Sequence, residues 1–342
     1  MSRIPVVILG ATGMVGQRLI ERLQHHPQFQ VAAVAASSRS AGKRYADATN
    51  WRLPGEPYGG LDDFVVEECI PERMPEGAKL AFSALDSGPA RSIEAAFRDA
   101  GWAVVSNASA YREDPLVPLV IPEINPEHLS MLEAQPGDGF ILTNPNCSAI
   151  PLTMALAPLD EAFGVEAVVA STWQAVSGAG YPGESAWDMV GNVHPHPGNE
   201  EEKMAVEPQK ILGPVGEPAP FSLSARCVRV PVADGHLVSA QVRLRIPATP
   251  NDVREAIAAF VPRCPDLHSS PQPLFRIFEE RDRPMPRLDS DLGNGMTISV
   301  GRIESCPVMG VKFFCLAHNT LRGAAGAAIA NAELLLASGH LQ

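Results

Sequence analysis

The chain has 342 residues, of which 45% are hydrophobic and 19% are charged, so it can bury a sizeable core and is long enough for two domains. Its formal net charge of −12 makes a nucleic-acid backbone a poor partner and leaves only local basic pockets for small anions. No apolar run reaches membrane-spanning length, and a strand is predicted so close to Met1 that no signal peptide is expected. We therefore expect a cytoplasmic protein.

The first 140 residues alternate between strand and helix patterns. Apolar, β-branched residues at 4–10 predict a buried parallel strand, and helical spacing follows from Met14 to Leu23. Further strands are predicted at 30–36, 80–83 and 103–106, and a further helix at 90–100. This alternation is typical of a doubly wound α/β domain.

From about residue 165 the pattern changes to strand-like runs joined by proline-rich connections. The run at 237–246 alternates apolar and polar positions, as a half-exposed antiparallel strand does, which predicts a second α+β domain. The tail from Thr320 to Leu336 predicts a helix whose small residues allow close packing against another element. We expect a first domain at 1–146, joined by the C-terminal helix 319–342, and a second domain at 147–318.

Three glycines, Gly10, Gly13 and Gly16, lie between the first strand and the first helix. Glycines let the backbone turn tightly and approach a phosphate, and the following helix directs its N-terminal N–H groups at that phosphate. In this setting the motif favours dinucleotide binding over an ordinary structural turn. The predicted cofactor contacts in the motif are Gly10, Thr12, Gly13, Met14, Val15 and Gly16.

The end of the second strand distinguishes NAD from NADP. An NAD site has an acidic residue about 20 positions after the glycines, but this chain has no Asp or Glu there before Asp47. Ser37, Arg39 and Ser40 instead suit a 2′-phosphate, because hydroxyl and guanidinium groups form charge-assisted hydrogen bonds with it. A solvated basic loop is the alternative interpretation. The position at the strand end favours NADP as the cofactor.

The six cysteines have no paired metal-ligand spacing, so no metal site is predicted, and thiols in a reducing compartment are expected. Cys147 differs from the others because it follows Asn-Pro-Asn and precedes a helical stretch at 149–156. The helix dipole lowers the pKa of a thiol at this position and activates it as a nucleophile. Backbone N–H groups at the start of the helix would also be available to stabilise an oxyanion.

A cysteine nucleophile needs a base within hydrogen-bond reach, and nine histidines offer candidates. His236 lies seven residues after Arg229 and precedes a long predicted strand. From this spacing alone, His236 could be either a catalytic base or a solvated turn residue. His194 and His196 lack a third ligand at metal spacing, which favours a surface loop.

At this point the chain resembles the aspartate-semialdehyde dehydrogenases, in the branch typified by archaeal and fungal enzymes, nearly from end to end. The matching motifs are 10–16, 37–45, 143–148, 174–183, 200–204, 207–213, 229–236, 295–302 and 318–326. The resemblance implies a Rossmann-like NADP-binding domain and a second α+β catalytic and dimerisation domain like that of glyceraldehyde-3-phosphate dehydrogenase. It also implies a homodimer or homotetramer. One departure is Asp86, where the family usually has proline.

The resemblance implies NADPH-dependent reduction of L-aspartyl-4-phosphate to L-aspartate 4-semialdehyde, with release of phosphate, in lysine, threonine, methionine and isoleucine biosynthesis. Cys147 matches the nucleophile that forms a thioester, and Gln174 matches the residue that orients the bound acyl group. His236 matches the acid/base that activates the thiol and supplies a proton as the thiohemiacetal collapses.

The same resemblance assigns the substrate contacts. Arg229 matches the arginine that grips the substrate carboxylate, and Glu207 matches the acid that pairs with the substrate ammonium. Lys210 and Arg112 match the phosphate-binding cations, with Lys203 a weaker candidate.

Two cofactor contacts lie outside the first domain's motifs. Asn319 resembles the residue that contacts the nicotinamide carboxamide, and Gly178 is a further expected cofactor contact.

Two other functions remain open from the residues. A malonyl-CoA reductase would use the same cysteine and hydride chemistry, but its substrate has no ammonium for Glu207 to pair with. A non-catalytic NADP-sensing protein would not need the set Cys147, Gln174, Arg229 and His236, which this chain retains.

Overall fold

A computed structural model describes residues 3–264 and 266–341, and the chain divides into two compact units. The first lies within Met1–Val120, His128–Asn144 and Ala324–Gln342, and the second comprises Ile121–Glu127 and Pro145–Gly323. The domain boundary after residue 146 stays a prediction. Within the described ranges, no helix is both long enough and apolar enough to cross a membrane.

The first unit is built on a six-stranded sheet in which every neighbouring pair is parallel. Its strands are β1 Ile4–Leu9, β2 Phe29–Ala36, β3 Val66–Glu68, β4 Leu80–Ser83, β5 Ala103–Ser106 and β6 Phe140–Thr143. They lie in the order β3-β2-β1-β4-β5-β6, which is that of a doubly wound fold and confirms the predicted α/β class. Val6 through Leu9 are fully buried, as continuous apolar strands of parallel sheets are.

The helices confirm most of the sequence-based elements. In chain order they are α1 Met14–Leu23, α2 Tyr45–Ala48, α3 Ser87–Asp99, α4 Ala149–Phe163, α5 Ala186–Met189, α6 Glu200–Leu212, α7 Pro250–Ala259, α8 Pro286–Asp289 and α9 Gly326–Ala337. Leu19, Ile20 and Leu23 of α1 form its buried apolar face, at the spacing read from the sequence. Asp86 is the N-cap residue of α3, although its side chain makes no capping hydrogen bond.

The C-terminal helix is shorter than the sequence pattern predicts, because Leu321–Ala325 form a wider π-helical turn before α9 begins. α9 is buried nearly all around and belongs to the first unit. Its Glu333 carboxylate lies 2.8 Å from His26 Nε2, and Asn331 donates a hydrogen bond to the carbonyl of Val120. These contacts satisfy polar groups that burial would otherwise penalise.

The second unit contains a mixed six-stranded sheet. Its strands are β7 Val165–Gln174, β8 Ser222–Arg229, β9 His236–Leu244, β10 Phe275–Phe278, β11 Ile298–Cys306 and β12 Gly310–Ala317. They lie in the order β10-β11-β12-β9-β7-β8; the central pairs are antiparallel and the pair at each edge is parallel. The predicted alternation along β9 is confirmed from Leu237 to Arg243, since Val238, Ala240 and Val242 are fully buried and their neighbours are half-buried or exposed.

A buried ion pair fixes the segment 121–127 within the second unit. Arg322 donates two hydrogen bonds of 2.8 Å to the carboxylate oxygens of Glu123, and both side chains are buried. Arg322 also contacts Met154 Sδ of α4 at 2.8 Å. A bidentate guanidinium–carboxylate geometry of this kind offsets part of the cost of burying both charges.

Candidate active site

The glycine loop of the first unit leaves the carboxyl end of β1 with a geometry that only glycine allows. Gly10 has a φ of +81°, and a Cβ there would lie 2.5 Å from the carbonyl oxygen of Ala84. A Cβ at Gly16 would overlap the carbonyl oxygen of Gly10. Gly13 is exposed at the N-cap of α1 and has no side chain to occupy the first N–H groups of the helix, so an anion can bind there. The half-buried residues of the same loop are Thr12, Met14 and Val15.

The segment that follows β2 lies at the same edge of the sheet as the glycine loop. The N–H groups of Gly10 and Ala11 both donate to the carbonyl of Ala35, at 2.9 and 3.0 Å. Ser37 and Arg39 are exposed just beyond that carbonyl, and Ser40 is half-buried. A diphosphate at the α1 N-terminus and a ribose phosphate at the end of β2 therefore fit the residues present.

Arg39 and Arg44 differ in their surroundings. Arg44 Nη2 lies 2.5 Å from the carboxylate of Asp63, whereas Arg39 is an exposed cation at the strand end. Tyr45 donates a hydrogen bond to the carbonyl of Ala11, which ties this segment to the glycine loop. Arg39 is thus the cation that matches the predicted 2′-phosphate contact.

In the second unit, Asn146 caps the helix that begins just after Cys147. Its Oδ1 accepts the N–H groups of Ser148 and Ala149 at 2.9 and 3.2 Å, and its carbonyl accepts that of Ile150 at 3.0 Å. Asparagine is among the strongest helix-capping residues. The expectation that these N–H groups are available to an oxyanion is therefore wrong for all three.

Cys147 is half-buried beneath the turn that precedes α9. A Cβ at Gly323 would lie 2.6 Å from Cys147 Cβ, so only glycine fits at that point. The sequence predicted close packing by small residues near 323, but not that the cysteine is the partner. The signal for this contact in the sequence was Gly323 itself, a poor helix former that stands directly before two alanines.

The strand ends of the second sheet bring three predicted residues together. Gln174 and Arg229 are the last residues of the parallel neighbours β7 and β8 and lie in register with each other. Because β9 runs antiparallel to β7, the first residue of β9, His236, lies at the same end of the sheet as the last residue of β7. Arg229 Nη1 donates to Gln174 Oε1 and to the carbonyl of Ala175, both at 3.1 Å.

The loop that carries His194 pairs with the last residue of β8. The N–H and carbonyl groups of His194 pair with those of Arg229 at 3.0 and 2.8 Å, which adds a short bridge beside β8. His196 is exposed, so the histidine pair occupies a surface loop whose first member supports the site through its main chain.

His236 is fully buried, and its hydrogen bonds define its tautomer. Its Nδ1 accepts the N–H of Ala175 at 3.0 Å, so the proton of the neutral ring is on Nε2. Burial lowers the pKa of His236 to about 3, and the charge of Arg229 acts in the same direction. At neutral pH the ring is thus a hydrogen-bond donor at Nε2, which does not fit the predicted abstraction of a proton from the thiol.

His236 Nε2 is buried without a hydrogen-bond partner in the part of the chain that the structure describes. A Cβ at Gly178 would lie 3.0 Å from this atom and 2.8 Å from Arg229 Nη1. Glycine at this position therefore leaves room in front of His236 Nε2, where a reacting group can approach. Gly178 itself is exposed.

Asn319 ties together the two segments that flank this space. Its Oδ1 accepts the N–H of Gly235, and its Nδ2 donates to Ser177 Oγ, both at 2.8 Å. The side chain is buried, with both ends of the amide bound to the protein. The structure thus places Asn319 beside the residue that precedes His236; its contact with a nicotinamide stays a prediction.

Two buried carboxylates of α6 contact Asn146. Glu207 Oε2 accepts the main-chain N–H of Asn146 at 2.5 Å, and Glu200 Oε2 accepts its side-chain amide at 2.8 Å. Glu200 also accepts Gln174 Nε2 at 3.2 Å and pairs with Lys203 at 2.7 Å. The sequence analysis missed the contribution of Glu200, because acidic residues in a first helical turn usually only complement the helix dipole.

The remaining predicted cations are not all in one unit. Lys210 is half-buried in the last turn of α6, with Lys203 two turns earlier. Arg112 belongs to the first unit, where it is buried and donates to the carbonyl of Asn107 at 2.6 Å. Their contacts with phosphate stay predictions.

Comparisons with known proteins agree with this arrangement. The model of the semialdehyde dehydrogenase NAD-binding domain matches residues 5–132, and that of the semialdehyde dehydrogenase dimerisation domain matches 156–322. The aspartate-semialdehyde dehydrogenase of Methanothermobacter thermautotrophicus is 44% identical over 97% of this chain and 99% of its own length. That of Saccharomyces cerevisiae is 41% identical over 96% and 97%, respectively.

Among solved structures, the Candida albicans aspartate-semialdehyde dehydrogenase crystallised with NADP superposes with a TM-score of 0.91 at 39% identity. The match covers 99% of this chain and 100% of that one. Together with the archaeal and fungal sequences, this similarity shows that the chain belongs to the aspartate-semialdehyde dehydrogenase family.

Proposed function

We propose that the protein reduces L-aspartyl-4-phosphate to L-aspartate 4-semialdehyde with NADPH and releases phosphate, a step in lysine, threonine, methionine and isoleucine biosynthesis. The observation that supports this most is a continuous chain of hydrogen bonds. It runs from Asn146, next to Cys147, through Glu200 and Gln174 to Arg229. A nucleophile and a carboxylate-binding cation are thereby held in one buried network, as an acidic acyl substrate requires.

The first half of the reaction forms a thioester. The Cys147 thiolate, which the dipole of α4 favours, attacks the carbonyl carbon of the acyl phosphate; the carbon–oxygen bond to phosphate then breaks. Arg229 would bind the substrate carboxylate. Its Nε is buried without a hydrogen-bond partner among the described residues, so it has a donor to offer an anion.

The second half releases the aldehyde. NADPH, when bound, supplies a hydride to the thioester carbon. His236 Nε2–H donates a hydrogen bond to the carbonyl oxygen as negative charge develops on that oxygen. His236 thus takes the role expected for the N–H groups of Ser148 and Ala149, which already donate to Asn146. The oxyanion then reforms the carbonyl, the carbon–sulfur bond breaks, and Cys147 leaves as a thiolate. A neutral imidazole suffices for this half because it transfers no proton; the phosphate released in the first half takes up its proton from solvent.

The other substrate contacts are also part of the proposal. Glu207, which accepts the main-chain N–H of Asn146, would also pair with the substrate ammonium as a buried carboxylate. Lys210 and Arg112 would bind phosphate, with Lys203 as a weaker candidate. An ammonium partner at Glu207 favours an aminoacyl phosphate over malonyl-CoA.

We propose NADP as the cofactor. The open N-terminus of α1 supports diphosphate binding, and the exposed Ser37 and Arg39 at the end of β2 support binding of the 2′-phosphate. The similar Candida albicans enzyme was crystallised with NADP.

We also propose that the protein forms a homodimer or homotetramer and acts in the cytoplasm. One face of the second sheet supports self-association: Trp173 is 37% exposed and Val169 43% exposed, and the Trp173 ring lies 6.1 Å from that of Phe314. An aromatic patch on an open sheet face is typical of a self-association surface. The matched dimerisation-domain model covers these strands.

Replacing Cys147 with alanine is expected to abolish turnover, because no thioester can form, and to leave NADP binding unchanged. The assay follows phosphate-dependent formation of NADPH from NADP and L-aspartate 4-semialdehyde by absorbance. Cys264→Ala, at another half-buried thiol of the second unit, should remain active. Turnover by Cys147→Ala would contradict the covalent route, and a wild-type protein active only with malonyl-CoA would contradict the proposed substrate.

Replacing Arg39 with alanine is expected to weaken NADP binding about 10- to 100-fold, the size of a lost hydrogen bond to a charged group. NAD binding should hardly change, because NAD has no 2′-phosphate. Titration of both cofactors by calorimetry measures the two dissociation constants. Arg44→Ala removes a charge from the same loop, but one already paired with Asp63, and serves as the control. Equal losses for NAD and NADP would contradict the assignment.

His236 is expected to remain neutral with its proton on Nε2 from pH 8 down to pH 5, since its pKa in the folded protein is about 3. The ¹⁵N chemical shifts of labelled histidines report both tautomer and titration, and His236→Asn identifies the resonance. The variant should lose turnover far more than substrate binding. The lowered pKa also means that His236 stabilises the fold less as the pH falls below about 6.5, where the unfolded chain takes up the proton first. A resonance that titrates near pH 6.5 would contradict this assignment.

Trp173→Arg is expected to shift the protein toward the monomer, because a buried interface would then have to accept an unpaired charge. Sedimentation velocity at several concentrations measures the shift. Trp187→Arg is the matched control, since Trp187 is 91% exposed and lies outside the sheet. An unchanged association state in Trp173→Arg would remove this face from the interface.

A further inference from the structure

The turn that precedes α9 lies against the proposed nucleophile. Leu321–Ala325 form a π-helical turn, in which the N–H of Gly323 donates to the carbonyl of His318 at 3.0 Å. A Cβ added at Gly323 would lie 2.6 Å from Cys147 Cβ and 3.0 Å from Cys147 Cα. Non-bonded carbon atoms stay about 3.5 to 4.0 Å apart, so the turn and the cysteine already fill the space between them. Single π-helical turns are frequent at functional sites.

The two residues before Gly323 hold this turn in place. Arg322 donates two hydrogen bonds of 2.8 Å to Glu123, and its main-chain N–H donates to the carbonyl of Gly295 at 3.2 Å. Leu321 packs onto Gly295, where an added Cβ would lie 2.4 Å from Leu321 Cδ1. The side chains of Arg322 and Glu123 are 1% and 0% exposed. A shift of the turn away from the cysteine would therefore strain or break a buried ion pair, which is strongly unfavourable.

The backbone at Cys147 is held from the other side. Carboxylates of α6 bind the main-chain N–H and the side-chain amide of the preceding residue, Asn146, which also caps α4. Arg322 contacts Met154 Sδ, in the second turn of α4, at 2.8 Å. The same arginine thus fixes the π-helical turn relative to the helix that begins just after the cysteine. Neither segment can move away from the other without breaking buried contacts.

We infer that Gly323 is a positioning residue for Cys147: its backbone closes one side of the cysteine side chain and so fixes where the thiol lies relative to the start of α4. The Arg322–Glu123 pair holds Gly323 in that place. This inference rests on the proposed role of Cys147 as the nucleophile. The position matters because a helix dipole stabilises a thiolate only within the first turn of the helix.

Gly323→Ala tests the inference because it adds one methyl group at this contact. We expect kcat for the oxidation of L-aspartate 4-semialdehyde to fall about 10- to 100-fold, the size of a misplacement of about 1 Å. KM should change little, because Arg229 and Glu207 keep their places. Gly88→Ala is the matched control and should behave like the wild type. Gly88 is exposed in α3, and an added Cβ would meet no described atom within 4 Å outside its own stretch of helix.

Alkylation of the thiol gives a readout that needs no substrate. Iodoacetamide reacts with the thiolate, so the rate of alkylation as a function of pH reports the pKa of the thiol. Mass spectrometry of the peptide that contains Cys147 measures this rate in the folded protein. We expect the midpoint of the pH profile to be higher in Gly323→Ala than in the wild type and in Gly88→Ala. An unchanged midpoint in Gly323→Ala would overturn the inference.

A double-mutant cycle on thermal unfolding tests the contact itself. Gly323→Ala should lower the midpoint of thermal unfolding, because it forces buried atoms together, and should lower it clearly less in a Cys147→Gly background, which lacks the opposing Cβ. If Gly323→Ala alone does not fold, Cys147→Gly should restore folding. An equal loss in both backgrounds, or no rescue, would overturn the inference. Neither the cycle nor the alkylation depends on the substrate, so a wild-type protein inactive on L-aspartate 4-semialdehyde would contradict the proposed function alone.

Discussion

The catalytic arrangement depends on how the backbone before Cys147 is held. Two carboxylates about two turns apart on α6, Glu200 and Glu207, bind the side chain and the main-chain N–H of Asn146, and Asn146 in turn caps α4. Buried carboxylates are unfavourable unless they are hydrogen-bonded or paired, so these contacts resist displacement. The backbone next to Cys147, the proposed nucleophile, is thereby held in place through Asn146.

The second sheet supplies the rest of the site through its topology. Parallel pairing of β7 with β8 puts Gln174 beside Arg229, and antiparallel pairing with β9 brings His236 to the same edge. Asn319 closes this edge by hydrogen bonds to Gly235 and Ser177. Side chains on strand ends keep their geometry better than side chains on loops, because the ladder fixes the backbone. In the loop after β7, Gly178 leaves room beside His236 Nε2 because it has no Cβ.

Burial and neighbouring charge give His236 and Arg229 different tasks. The guanidinium of Arg229 has the geometry that suits a carboxylate, whereas burial and the charge of Arg229 lower the pKa of His236, whose neutral ring carries its proton on Nε2. A second cation beside Arg229 would compete for the substrate carboxylate and weaken its orientation. In the proposed reaction a neutral donor polarises the carbonyl while the guanidinium binds the carboxylate, so the two neighbouring side chains have different electrostatic roles.

Features that follow a local pattern could be predicted from the sequence: four of the six strands and the longer helices of the first unit, the glycine turn before α1, the basic segment after β2 and the position of Cys147 just before a helix. The resemblance to a family also pointed to Gln174, Arg229 and His236. Their spacing in the sequence did not reveal that they lie together at one end of the second sheet. The hydrogen-bond partners of the buried polar groups follow from the folded chain alone. Asn146 accepts the first N–H groups of α4, Nε2 carries the proton of the neutral His236 ring, and Gly323 packs against Cys147. Glu200 accepts hydrogen bonds from the side-chain amides of Asn146 and Gln174. Hydrogen bonds between distant residues depend on direction and burial, and neither is encoded in a local pattern.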